Sequence, residues 1–459
     1  NKILLKFFLI LGFFLSTIFV YVFNKFGIIL DAAMITNALE SIGHTDEVID
    51  YSIVIYFFFL TLVPAFLVFR VEIFSKNVRQ KIITFFVFVT FLTVLQISFT
   101  AEKIIRSASL AYSPINYSVA IYEYFARFRS QLKQGENRKS LSEIYKFQRQ
   151  KNIKDLNIIL IIGESLRADH LFLNGYQRET NPNLEKISDL LNFTISASFN
   201  TTTRSVTSML SHRTKSDFID IPPEKSVVST FKELGFHTYW YSAQSSKEFR
   251  NGMLSIMASE ADDYFFRDRL QAKIHSSKIY DEALIPELQE VLKKGGNNFV
   301  VLHSFGNHIR YHERYPENFK KFLPECRSLP SSCAHDDLVN SYDNSVLYTD
   351  YFVSQVVESL KDTNSLLFFV ADHGVFLGED GMQANGNSED ESDAVKKVPM
   401  FFYMTNSLKK DKFFRQKFSN ATKKTSLHNL SHNNLFDSLL DCSGIESDLF
   451  ERNLSICKK

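Results

Sequence analysis

The sequence predicts an α/β chain in which N-terminal transmembrane helices precede an exported α/β/α domain. Much of the apolar content of the 459 residues sits in the first hundred positions, in stretches at about residues 3–23, 52–69 and 82–99. Each is near the roughly 20 residues needed to cross a bilayer. From Asn157 onward, short apolar runs alternate with helical patterns: residues 299–302 read as a buried strand and 338–360 as a helix. Such alternation indicates a largely parallel sheet covered by helices. Two of the apolar runs, 157–162 and 366–370, lead straight into acidic clusters. Their polar side chains therefore emerge at strand ends, where open α/β sheets bind ligands.

The predicted domains are residues 1–101, a membrane region of three helices; 102–156, a surface helix and exposed linker; and 157–459, the catalytic domain. Lys2 and Lys6 precede the first span, and Arg70, Lys76, Arg79 and Lys81 fill the loop between the second and third. By the positive-inside rule those ends face the cytoplasm, so an odd number of spans exports the C-terminal part. All four cysteines lie in that part as two locally spaced pairs, Cys326 with Cys333 and Cys442 with Cys457. This spacing suits an oxidising compartment, four free buried thiols being the other reading. The net charge of +1 gives no basic footprint, so no nucleic-acid partner is expected.

Three separated clusters carry chemistry: Gly163-Glu164-Ser165, Asn200-Thr201-Thr202-Thr203-Arg204-Ser205 and Ala371-Asp372-His373-Gly374. Together they offer a carboxylate, a hydroxyl nucleophile and an Asp-His pair, the set a one-metal phosphoryl- or sulfuryl-transfer site needs. A threonine hydroxyl is a poor nucleophile at neutral pH, and coordination to a metal favours its alkoxide. Taken singly, Glu164 reads as a helix cap, Asp372 as a loop cap and the threonine run as surface β-structure; taken together they read as a site.

The chain resembles the membrane phosphoethanolamine transferases that modify lipid A, members of the alkaline-phosphatase and sulfatase superfamily. The resemblance rests on Phe26 to Asp31 with Met34 and Asn37, on Gly163 to His170, and on Asn174 to Pro182. Arg314-Tyr315-Pro316, Tyr342-Asp343-Asn344 and Val398-Pro399-Met400 add later landmarks. It implies a sulfatase-like catalytic domain in the periplasm on an inner-membrane anchor, five spans where this chain shows three, and a monomer. It further implies transfer of phosphoethanolamine from phosphatidylethanolamine to lipopolysaccharide, with lipid A the expected acceptor, through a phospho-threonine intermediate.

Carried over residue by residue, the nucleophile falls on Thr202, with Thr201 and Thr203 as alternates, and Glu164, Thr202, Asp372 and His373 become ligands of one zinc ion, or of the first of two. His308 corresponds to a histidine that contacts the phosphoryl group or a second metal, and suits acid catalysis of alkoxide departure. His303 reads as a core histidine. Gln244, Ser245 and Lys247 stand for head-group contacts, and Asn37 and Glu47 for lipid contacts on the membrane side. The chain departs from the family at Asn385, in place of a substrate-site histidine, and at Val375, in place of a glutamate. Asparagine hydrogen-bonds but shuttles no proton. Arg310 is a candidate anion contact. These departures leave room for phosphoglycerol as the transferred group or for another envelope glycan as acceptor. A sulfatase-like hydrolase is a further reading, although Thr202-Thr203-Arg204-Ser205 lacks the Cys/Ser-x-Pro-x-Arg pattern from which formylglycine is made. A catalytically dead scaffold would show loss of a ligand, and all four candidates are present.

Overall fold

The computed structural model describes residues 2–26, 51–70, 138–213, 222–245, 252–276, 278–384, 391–450 and 454–459. These fall into two compact units, the first holding residues 2–26 and 51–70 and the second residues 138–459.

The first unit is built on helix α1 (Lys2–Phe26), whose sequence has no charged residue between Lys6 and Lys25. It packs against a second helical stretch in which a π turn, Phe58–Leu62, separates Ser52–Phe57 from Val63–Arg70. Pro64 explains the turn: it has no N–H for the preceding turn, and its ring crowds the carbonyl four residues back. The contacts between the helices are specific. Thr17 Oγ1 lies 2.7 Å from Thr61 Oγ1, Asn24 Nδ2 donates to the Tyr56 hydroxyl at 3.3 Å, and Tyr21 meets Tyr56 edge to face. Phe58, Phe59, Leu62 and Phe66 nevertheless remain exposed. Among the described residues no helix is long and apolar enough to cross a membrane. The expected third span, 82–99, lies outside the described residues.

In the second unit, among the described residues, seven strands form one sheet. They are β1 (Leu156–Gly163), β2 (Leu191–Ser196), β3 (His237–Ser242), β4 (Asp263–Phe265), β5 (Asn298–His303), β6 (Asn364–Ala371) and β7 (Lys397–Met404). Their order is β2-β7-β6-β1-β5-β3-β4. The neighbours from β6 across to β4 pair in parallel, and β7 runs antiparallel between β6 and β2. Every residue of β1 and β5 is buried, as the apolar runs at their centres, 158–162 and 299–302, require of parallel strands covered on both faces. The helix expected over 338–360 is α3 (His335–Leu360), one face of which buries Leu338, Tyr342, Val346, Val353 and Val357. Residues 138–156, expected as linker, are packed into the unit. Arg138 pairs with Glu260, Leu141 is buried, and Phe147–Arg149 pairs antiparallel with Ile445–Ser447.

Register positions the site. Gly163 pairs with Ala371, Ile162 with His303, and Ser242 with His303, so four parallel strands end at one level. The residues that follow those ends, Glu164, Asp372, Ser304 and Gln244, are thereby gathered at the carboxyl edge of the sheet. Disulfides Cys326–Cys333 and Cys442–Cys457 close loops elsewhere in the unit, and no described cysteine is free.

Candidate active site

Glu164 follows β1 and Asp372–His373 follow β6, while Thr202 opens helix α2 (Thr202–Leu210) after the extended residue Thr201. Thr201 is the N-cap in an extended conformation, and its side chain makes no capping hydrogen bond. Thr202 Oγ1 donates to Glu164 Oε2 at 3.0 Å and lies 3.4 Å from His373 Nε2.

The surrounding bonds fix the orientation of each group. Glu164 Oε1 accepts from Ser165 Oγ at 2.7 Å, and Glu164 Oε2 also accepts from Gln244 Nε2 at 3.2 Å. Asp372 Oδ1 accepts the backbone N–H groups of Ser165 at 2.9 Å and His373 at 2.7 Å. Ser165 serves both carboxylates from a left-handed conformation, φ 55°, a backbone cost sustained only where surrounding contacts over-determine it. His373 Nδ1 donates to the Gly374 carbonyl at 2.7 Å, which turns Nε2 toward Glu164 Oε1 at 3.5 Å and Asp372 Oδ2 at 3.3 Å.

These residues fit a divalent cation. Ligand atoms of Glu164, Asp372 and His373 lie within 4.8 Å of one another, and all three residues are buried. Asp372 Oδ2 is buried without a hydrogen-bond partner, a cost that coordination would remove. The Nε2 lone pair faces two carboxylates, an arrangement that is repulsive unless a positive charge sits among them. Oxygen and nitrogen donors in a tetrahedral set suit zinc. The electrostatics agree: burial and the Glu164 charge push the Asp372 carboxyl up to about 7. Burial also works against ionised Glu164, but His373, His308, His303 and the Ser165 hydrogen bond outweigh it and hold Glu164 below the usual range.

The loop after β5 forms one wall. Gly306, at φ +46°, brings its backbone against Glu164, and the Glu164 carbonyl accepts from Asn307 N at 3.0 Å. His308 stacks on Phe305, with ring centroids 5.1 Å apart. His303 is buried at the end of β5, and burial pushes its imidazole down to about 4.

Gln244, expected at a head group, is bonded to Glu164 and to the Ser304 carbonyl at 2.9 Å. Ser245 is buried and faces Asp268 at 3.4 Å. Val375 is buried, and its carbonyl accepts from Arg167. Arg310 is left-handed, φ 62°, and pairs with Glu313 at 3.4 Å. Asn37, Glu47, Lys247 and Asn385 lie outside the described residues.

Two residues were not anticipated, Asp281 and His432, and a third was named only within its cluster. Ser165 is flagged only by its place beside Glu164. Asp281 is buried and accepts from the N–H groups of Phe305 at 2.7 Å and Gly306 at 2.9 Å. His432 has no motif to mark it and is described below.

Residues 156–445 match the sulfatase family model, and residues 1–127 match the model described as phosphoethanolamine transferase EptA/EptB. The Kdo(2)-lipid A phosphoethanolamine 7''-transferase of Escherichia coli K12 is 28% identical over 312 residues, covering 66% of this chain and 54% of that protein. The chain spans about half the length of the curated relatives it matches. In fold it resembles the integral membrane lipooligosaccharide phosphoethanolamine transferase A of Neisseria meningitidis, with a TM-score of 0.79 over 98% of this chain and 86% of that one at 22% identity. It also resembles the C-terminal periplasmic domain of Escherichia coli EptC, solved in complex with Zn, with a TM-score of 0.58 over 68% and 89% at 23% identity. The chain thus belongs to the sulfatase family, and its N-terminal region matches that of the phosphoethanolamine transferases EptA/EptB.

Proposed function

We propose that the chain transfers phosphoethanolamine from phosphatidylethanolamine to lipopolysaccharide, with lipid A as acceptor, through a phospho-threonine intermediate on Thr202. The observation that carries this reading is the buried Thr202 hydroxyl, 3.0 Å from Glu164 Oε2 and 3.4 Å from His373 Nε2. Similarity to phosphoethanolamine transferases over both regions supports the chemistry. Glu164, Asp372, His373 and Thr202 would hold one zinc ion. Zinc, when bound, lowers the pKa of a coordinated hydroxyl and offsets charge on phosphoryl oxygens.

Thr202 Oγ forms a bond to phosphorus as the bond from phosphorus to the diacylglycerol oxygen breaks, Thr202 reacting as the alkoxide that a bound cation would favour, its proton having passed to solvent beforehand. His308 supplies the proton that the departing alkoxide takes up. In the second displacement an acceptor oxygen bonds to phosphorus and the Thr202 ester breaks, so ping-pong kinetics follow. Gln244 and Ser165 keep Glu164 aimed at the hydroxyl, and Ser165 N–H with His373 N–H keeps Asp372 in place.

The same reading places the chain in a bacterial inner membrane with its catalytic unit in the periplasm. The exposed Phe58, Phe59, Leu62 and Phe66 on the first unit support a lipid environment, and two disulfides support an oxidising one.

Mass spectrometry of lipid A and core oligosaccharide from cells expressing the full-length protein tests the proposal, with Thr202→Ala alongside. A phosphoethanolamine increment on lipid A that is absent with Thr202→Ala is expected. An increment that survives Thr202→Ala refutes the nucleophile, and an increment of another mass or on core sugar refutes the transferred group or the acceptor.

A further inference from the structure

Strand β7 separates the two strands that deliver the nucleophile and the Asp-His pair. The sheet itself makes no hydrogen bond between β2, which leads toward Thr202, and β6, which ends at Ala371. Their ends are two strand spacings apart, each about 4.8 Å. Strand β7 pairs with both and so sets the spacing of the strands, which leaves the segments beyond their ends, residues 197–202 and 372–373, to be placed relative to one another.

His432 bridges the two segments at their starts. It is fully buried at the start of helix α4 (Asn433–Cys442). Its Nδ1 lies 3.2 Å from Ser198 N, and its Nε2 lies 2.9 Å from the Ala371 carbonyl oxygen. An N–H only donates and a carbonyl only accepts, so the ring must be neutral, with a lone pair on Nδ1 and the proton on Nε2. Burial favours that neutral form, pushing the imidazole down to about 4.

The backbone anchors the ring independently. His432 N donates to Ser196 O at 3.0 Å, and Ser196 N donates to Leu430 O at 2.9 Å. The Ser198 peptide is then gripped from its other side, where Lys396 Nζ donates to its carbonyl at 2.9 Å. Ser198 lies four residues before Thr202, and Ala371 immediately precedes Asp372.

We infer that His432 is a positioning residue that ties the nucleophile loop to the ligand loop and so fixes Thr202 relative to Asp372 and His373. It touches neither substrate nor reacting atoms. The inference rests on the reading of Thr202 as nucleophile, but its consequence for the ligand loop does not. No aliphatic or phenyl side chain supplies both bonds, whereas asparagine offers one acceptor and one donor.

The test uses the full-length protein with His432→Phe, His432→Asn and Thr202→Ala, measuring zinc Kd by chelator competition, thermal midpoint, kcat and KM. His432→Phe is expected to lower kcat at least 30-fold with KM within threefold and to weaken zinc at least fivefold, and His432→Asn to recover part of both. Unchanged kcat and zinc Kd in folded His432→Phe overturn the inference. Retained activity in Thr202→Ala defeats the nucleophile reading alone, because the loss of zinc affinity in His432→Phe is still required. Should His432→Phe not fold, hydrogen exchange of the wild-type Ser198 amide decides: strong protection is expected, and exchange at the rate of an open loop overturns the cross-tie.

Discussion

Replacing Gly306 by alanine tests whether the wall behind Glu164 is as tight as the structure requires. Gly306 has φ +46°, and a Cβ placed there would stand 2.9 Å from Glu164 O, 3.0 Å from Glu164 N and 3.2 Å from Glu164 Cβ. Two of these are backbone atoms, and Glu164 O is already bonded to Asn307 N, so neither retreats without cost. The left-handed conformation costs a non-glycine residue about 1–2 kcal/mol. Overpacking adds about 1–3 kcal/mol, giving roughly 2–5 kcal/mol in all. Gly175 supplies the control: its φ is +91° but nothing lies within 4 Å of an added Cβ, so Gly175→Ala should cost only about 1–2 kcal/mol. Denaturant unfolding measures both, and zinc titration reads the displacement of Glu164 in Gly306→Ala alone. Equal destabilisation by the two substitutions, with zinc affinity untouched in both, would refute the argument.

Gln244→Leu removes a hydrogen bond to Glu164 and should weaken zinc binding about 10–100-fold, as loss of an outer-shell partner does; a raised KM with unchanged zinc Kd would return Gln244 to the head group. Asp281 is buried and pushed up to about 6 from an ordinary 3.8, chiefly by desolvation. With its folded pKa raised, its contribution is fully present below the unfolded value and is lost as pH rises through the folded one. The stability gap between wild type and Asp281→Ala should therefore shrink by about 3 kcal/mol between about pH 4 and pH 7; a pH-independent gap in denaturant titrations counts against this. Replacing both Cys442 and Cys457 by alanine opens a loop of sequence separation 15, and calorimetry should show a loss of about 3 kcal/mol.

The parallel strands were legible because strands buried on both faces are written as unbroken apolar runs; β1, β5 and β6 each extend such a run by a residue or two. Glu164, Asp372 and His373 were legible for a related reason, since short polar clusters directly after such runs must surface at the sheet edge. The antiparallel insertion of β7 was not, because its sequence is as apolar as a parallel strand and pairing direction leaves no mark in composition. The bonds of Gln244 to Glu164 and to the Ser304 carbonyl were not legible, because a polar residue past a strand end says nothing of which neighbour it will reach. Asp281 and His432 escaped notice because their partners are backbone groups 24 and 61 or more residues away. Backbone partners carry no signature of their own in the sequence.

The pairing of Gly163 with Ala371 also bears on the order in which the protein becomes competent during synthesis. Ser165 and Asp372, joined by a hydrogen bond at the site, are 207 residues apart. Closing a loop of that length costs about 5 kcal/mol of chain entropy, and parallel pairing of distant strands is slow to form. The segment bearing Glu164 and Thr202 therefore emerges long before its counterpart and waits as half of a binding site. The three side chains that could hold a cation, Glu164, Asp372 and His373, come together only once β6 has docked beside β1, so on the proposed reading metal capture would follow that docking. A chain truncated before residue 372 would be expected to carry Glu164 and Thr202 without the Asp372 and His373 side chains that surround them in the folded unit.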